Sequence, residues 1–168
     1  MSKSLLSAAV IGLGLVTAAV SVQANCLTSA DRMAAQTRRL QTELMVAALS
    51  CRTVPGRDFT GHYNTFVKKH NDHLLGNSKV LQAYFKQTFG AQHNRQMDTF
   101  ITALANDSSN RSMTQPGYCD DAAKLFNEVL TVDRRGLESF QAARFSADLP
   151  VNGACTSAAS NERPTAVR

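Results

Sequence analysis

Between residues 28 and 51 the apolar positions Met33, Thr37, Leu40, Leu44, Ala47 and Cys51 alternate in steps of four and three, which keeps one stripe on one face of a helix. Thr28 followed by Asp31 has the form of a capping box and sets the helix start. Arg32, Arg39 and Glu43 fall off the stripe, on the side expected to meet water. Pro55-Gly56 breaks the chain. The same period predicts a second helix over about 60–75 (Tyr63, Phe66, Val67, His70, Leu74 inward), ended by Gly76-Asn77. Lys68, Lys69, His70 and His73 crowd its last turns, where cations suit its own dipole.

Ser78 is placed to cap a third helix, with Val80, Leu81, Tyr84, Phe85 and Phe89 inward and Gly90 as its stop. A fourth helix is expected over about 91–106, with Met97, Phe100, Ile101 and Leu104 inward. The polar stretch 106–117, ending in Pro116-Gly117, reads as a mobile loop. Asp120 and Asp121 open a last helix with the stripe Cys119, Ala123, Phe126, Leu130, Asp133, Leu137 and Phe140. Asp133 and Gly136 interrupt it, so a kink or break is expected over 131–136. Leu149-Pro150 closes the helical region. No strand alternation rivals this period, so the expected fold is all-α, a bundle of about five helices. Phe66, Phe85, Phe89, Phe100, Phe126 and Phe140 sit at helical spacing and read as core.

The first residues change the setting. Lys3 supplies a positive n-region, Leu5 to Val20 is uncharged and apolar, and Val22-Gln23-Ala24 puts small side chains at the −3 and −1 positions of a cleavage site. Residues 1–24 read as a secretory signal, residues 25–155 as a helical domain and residues 156–168 as a disordered tail. The mature chain is expected in the periplasm or outside the cell, with no stable membrane span. All four cysteines, Cys26, Cys51, Cys119 and Cys155, lie after the cleavage point, and an even count in an exported chain predicts two disulfides. A helix over 28–51 holds Cys26 and Cys51 roughly 35 Å apart, against a limit of about 7 Å between Cα atoms. With helix directions alternating, helices one and five run parallel, which favours Cys26–Cys119 with Cys51–Cys155; a sideways third helix reverses that argument.

Charge and chemistry refine the picture. The formal net charge is +5. The excess is uneven: residues 25–100 hold ten bases and five acids, residues 101–168 seven and eight. This points to ordinary solvated faces, or to an anionic envelope component as partner, and the scattered bases give no nucleic-acid footprint. No Cys-x-x-Cys, Cys-x-x-Cys-His, Gly-x-Ser-x-Gly, His-Glu-x-x-His or phosphate-binding glycine loop occurs. No cofactor is therefore indicated. His62, His70, His73 and His93 fall within 32 residues; His70 and His73, three apart, present neighbouring faces and are the candidate metal ligands. The plainer reading has His70 packed at a helix end and His73 in solvent. Paired carboxylates for acid–base work would come from Glu43, Asp72, Asp98, Glu128 or Glu138, all read as lying on polar faces.

Leu40-Gln-Thr-Glu-Leu-Met-Val-Ala-Ala-Leu-Ser-Cys51, followed by Tyr63-Asn-Thr-Phe-Val67 and by Tyr84-Phe85 ahead of Gly90, resembles a group of small exported helical proteins of alphaproteobacteria. The resemblance spans roughly residues 26–145 and rests on helix faces. It implies export and a disulfide-braced fold, and it carries no catalytic residues. The functional expectation is a non-enzymatic helical domain that binds a partner protein or envelope component, or serves a structural role. The alternative is a small-ligand or metal-binding bundle using the His62–His93 region. A third is a secreted enzyme of the chorismate mutase type, which would need a concave pocket lined by converging Arg, Lys and Glu; Arg32 and Arg39 lie on the first helix, and the later Lys and Arg-Glu pattern is not found.

Overall fold

A computed structural model of the chain describes residues 27–145 and Leu149. The expected signal sequence (1–24), Cys26, Cys155 and the expected tail (156–168) lie outside the described residues. Among the described residues six α-helices follow one another: α1 (Ser29–Ser50), α2 (Phe59–Lys69), α3 (Asn71–Phe89), α4 (His93–Thr114), α5 (Tyr118–Thr131) and α6 (Arg134–Arg144), with a 3-10 turn at Gly90–Gln92. The all-α bundle expected from the apolar period is the fold observed, with the last predicted helix divided into α5 and α6.

Helix α1 is the axis of the molecule and touches all five others. Its start is fixed as the sequence implies: Thr28 Oγ1 accepts from Asp31 N–H and Asp31 Oδ2 accepts from Thr28 N–H. Burial extends well beyond the predicted stripe. Ala34, Ala35, Leu40, Leu44, Val46, Ala47 and Ala48 are buried together with Gln36, Thr37, Thr42 and Glu43, so α1 is enclosed on most of its circumference. Its C-terminal half shares a core with Phe59, Phe66, Leu74, Leu125, Phe126, Val129 and Leu137. Its N-terminal half shares another with Leu81, Tyr84, Phe85, Phe100 and Leu104. Of the predicted aromatic core, Phe66, Phe85, Phe100 and Phe126 are buried, whereas Phe89 and Phe140 are only partly so.

Three boundaries differ from expectation. The break between the second and third helices is at His70, not at Gly76-Asn77, which lie inside α3. Gly76 costs a helix only about 1 kcal/mol, and Asn77 Nδ2 donates to His73 C=O at 2.8 Å within the helix. Ser78, expected as a cap, bonds Arg38 instead. Residues 106–114 are not a loop but the end of α4. Their polar face is buried against α1 through Ser108 and Arg111, a contact with Glu43 across 65 and 68 positions that no local pattern displays. The last helix ends at Arg144 rather than at Leu149-Pro150. Its predicted break is present: α5 stops at Thr131, and Asp133 caps α6 by accepting from Gly136 N–H at 2.8 Å. The buried line of α5 is Tyr118, Ala122, Leu125, Phe126 and Val129, one position from the predicted stripe; Cys119, Ala123 and Leu130 flank it.

The disulfide observed is Cys51–Cys119, with Cα atoms 5.6 Å apart. The favoured pairing, Cys26–Cys119 with Cys51–Cys155, is not formed. The reason is direction. Helix α2 starts beside the end of α1, where Arg57 reaches Asp120 at 2.7 Å. Helix α3 continues the same way: Ser78 meets Arg38, and Leu81, Tyr84 and Phe85 join Ala34, Ala35 and Leu27. Both therefore descend along α1, with only His70 between them. Helix α4 then runs beside α1 in parallel, pairing Asp107 with Arg39, Ser108 with Glu43 and Ser112 with Ser50. Gly117, at φ 73°, turns the chain at the upper end. Helix α5 therefore starts at the C-terminal end of α1 and runs against it, which brings Cys119 to Cys51. No helix among the described residues is long and apolar enough to cross a membrane.

Candidate functional site

Glu43 projects from the middle of α1, between α4 and α5, and is 6% exposed. A buried carboxylate needs partners, and three converge on it. Ser108 Oγ donates to Oε2 at 2.7 Å, the Arg111 guanidinium pairs with Oε2, and the Tyr118 hydroxyl donates to Oε1 at 3.3 Å. Arg111 also reaches Asp107 at 3.2 Å, and Asp107 pairs with Arg39 at 3.4 Å. Arg39 lies over the Phe145 ring, 5.4 Å from its centroid. A chain of alternating charges thus ties α1, α4 and the start of α5 together. Contrary to the expectation from their place off the stripe, Glu43 and Arg39 do not face water: α4 and α5 cover that side of α1.

The electrostatics follow from this burial. Burial, the Glu43 charge and its hydrogen bond push the Tyr118 phenol far above its ordinary value, so it stays a donor. Burial alone would lower the Arg111 pKa, but Glu43 and Asp107 more than offset that and raise it. Arg111 Nε is buried and has no hydrogen-bond partner among the described residues. Above this network opens a cleft of about 310 Å³. Glu43, Arg111 and Tyr118 form one side; Asp121, Lys124, Glu128 and Arg144 form the rim. Lys124 is bonded to Asp121 at 3.1 Å, and Arg144 lies 5.9 Å from the Phe140 ring centroid.

The histidines are distributed otherwise than the metal reading requires. His70 and His73 are 4% and 5% exposed, so His73 is buried rather than solvated. His70 Nε2 lies 3.4 Å from Val129 C=O, and His73 Nδ1 lies 3.5 Å from Glu138 Oε1. His62 packs against Phe126, and His93 bonds Gly90 C=O within its own turn. Among the described residues no three His, Cys, Asp or Glu side chains converge to hold a metal ion. Lys68 and Lys69 lie in the last turn of α2, where cations suit its dipole, whereas His73 lies inside α3. Lys69 Nζ also donates to Leu130 C=O at 2.6 Å, so this side chain meets a carbonyl at the C-terminal end of α5 as well.

Of the five carboxylates singled out in the sequence, Glu43 and Glu128 share the cleft, Asp72 and Glu138 lie about the histidines, and Asp98 lines a groove between α3 and α4. Arg32 and Arg39 line none of the clefts described here. Ser108, Arg111, Tyr118, Lys124 and Arg144 were not legible as site residues. The one available signal was Arg111 at four residues from Asp107, and it sits in a stretch that reads as a loop. Comparison with known protein families, curated proteins and solved structures gives no match.

Proposed function

We propose that this chain is exported and that its mature part is a non-enzymatic helical binding domain whose ligand seat is the cleft above Glu43. The observation that carries the reading is the charged lining of that cleft: Arg111, Lys124 and Arg144 against Glu43, Asp121 and Glu128, with an unmet buried donor at Arg111 Nε. A volume of about 310 Å³ lies at the small end for ligand sites. Cations and carboxylates in equal number suit a small zwitterion, such as a free amino acid or dipeptide, more than a bare anion. Binding is favoured over acid–base catalysis because Glu43 accepts from Ser108, Arg111 and Tyr118 at once, so both its oxygens are already engaged within the protein. Arg, Lys and Glu do converge here, the feature an enzyme of the chorismate mutase type needs, but on residues other than Arg32 and Arg39.

The test is a thermal-shift and calorimetric titration of the mature protein with free amino acids and their dipeptides. Stabilisation by at least one of these, lost in both Arg144→Ala and Glu128→Gln, is the expected result. No stabilisation by any of them overturns the zwitterion seat and turns the search to protein partners captured by cross-linking. Export is supported by the leader sequence and by the Cys51–Cys119 bridge, since such bridges persist in oxidising compartments. Cys26 and Cys155 are then left to pair with each other. Leu27, next to Cys26, and Leu149, six residues before Cys155, belong to one apolar cluster, which supports that pairing. Intact mass of the native protein, recovered without reductant, checks both points: it should equal residues 25–168 less four hydrogens.

A further inference from the structure

Two interruptions of the helices face each other across one cavity. One is the single residue His70 between α2 and α3; the other is the Val132-Asp133 elbow between α5 and α6. The cavity, about 580 Å³, is lined by Lys68, Lys69, His70, Asp72, His73 and Arg134 among others. Three polar contacts cross between the two breaks: Lys69 Nζ to Leu130 C=O at 2.6 Å, His70 Nε2 to Val129 C=O at 3.4 Å, and His73 Nδ1 to Glu138 at 3.5 Å. Two of the three come from buried imidazoles.

We propose that this joint is an acid-operated latch, in which protonation of His70 and His73 releases α2–α3 from α5–α6 and opens the cavity between them. The charges around the rings set the direction. His70 has Lys69 beside it on α2 and, from α5, only the Val129 carbonyl. His73 has Glu138 and Arg134 facing it from α6 and His70 behind it. On the α1 side, Arg38 is tied to Gln41 and Ser78. Among the described residues Glu138 is the carboxylate paired with a ring; it is 37% exposed and shared with Arg134 at 3.4 Å. It is too divided and too hydrated to offset burial of a second charge. With both rings charged, five cations (Lys68, Lys69, Arg134 and the two imidazolium groups) would meet Asp72, Asp133 and Glu138. Burial already holds both imidazoles below their ordinary value of 6.5. The open state, with the rings in water, therefore binds protons more tightly. The closed joint is fully stable above about pH 6.5 and weakens as the pH falls below it.

The experiment is hydrogen–deuterium exchange on the whole mature protein at about pH 7.5 and pH 5.0, corrected for intrinsic rates, beside an NMR titration of the imidazoles. One proton per ring between pH 6.5 and 5.0 sets an upper bound of about a thousandfold on the gain in opening. A gain of at least tenfold is expected at residues 68–74 and 128–138, with less change in α1. The His70→Gln/His73→Gln double variant should lose this dependence, and His62→Gln/His93→Gln should keep it. Equal protection at both pH values, or the same loss in His70→Gln/His73→Gln, overturns the latch. If that variant does not fold, the titration of the native chain decides: either ring titrating above 6.5 means that acid tightens the joint, and the proposal fails.

Discussion

At the residue scale, Glu43 concentrates more consequence than any other side chain described. It sits inside the bundle, and its three donors come from α4 and α5. Glu43→Gln removes the charge while Arg111 stays half-buried beside Asp107, and it is expected to cost about 3 kcal/mol. Ser108→Ala, which breaks a bond to a buried carboxylate, should cost about 2 kcal/mol, and Tyr118→Phe about 1 kcal/mol because its contact is longer and two donors remain. Urea unfolding followed by circular dichroism checks this order. Tyr118→Phe proving the most damaging of the three would show that the phenol, and not the ion pair, holds the site together. Neither Ser108 nor Tyr118 announces such a role in sequence, because a hydroxyl partner becomes visible only when the buried charge beside it is known.

At the element scale, the glycines make opposite predictions. Gly76 lies inside α3, and a Cβ built there meets nothing within 4 Å. Gly76→Ala should therefore raise stability by about 0.5–1 kcal/mol through helix propensity alone. Gly136 also lies in a helix, yet a Cβ there comes within 3.0 Å of Val132 Cβ and 3.3 Å of Asp133 Oδ1. Gly136→Ala should lower the melting temperature by disturbing the cap that starts α6. A pair of melting curves settles both, and a stabilised Gly136→Ala would show that the elbow can shift without losing its cap. The break at 131–136 was readable because Asp133 and Gly136 act within one turn. The extension of α4 was not, since its polar last turns are held by a residue on another helix.

At the scale of the whole molecule, Cys51–Cys119 closes a span of 68 residues across α2, α3 and α4. A loop of that length corresponds to about 4 kcal/mol of restricted unfolded-chain entropy. Replacing both cysteines by serine should lower the unfolding midpoint more than His73→Ala, which empties one buried position. Equal shifts would mean that the bridge constrains little that packing does not already fix. The two cores share α1, so the chain is expected to unfold in one transition, with different probes coinciding.

The sequence by itself determined the helical class, the capping box at Thr28–Asp31, the apolar seam of α1, the Asp133 break and, as expectations, the leader and the use of cysteines in pairs. These depend on neighbours within one or two turns, where spacing and side-chain chemistry are sufficient. Tertiary structure alone decided that α2 and α3 run the same way, and hence that Cys51 meets Cys119. It also decided that Glu43 is enclosed and that His70 and His73 close a joint with α5 and α6. Each of these turns on which helices cover which side of α1. An amphipathic period shows that a helix has a buried face; it carries no record of how many partners surround it or in which direction they run.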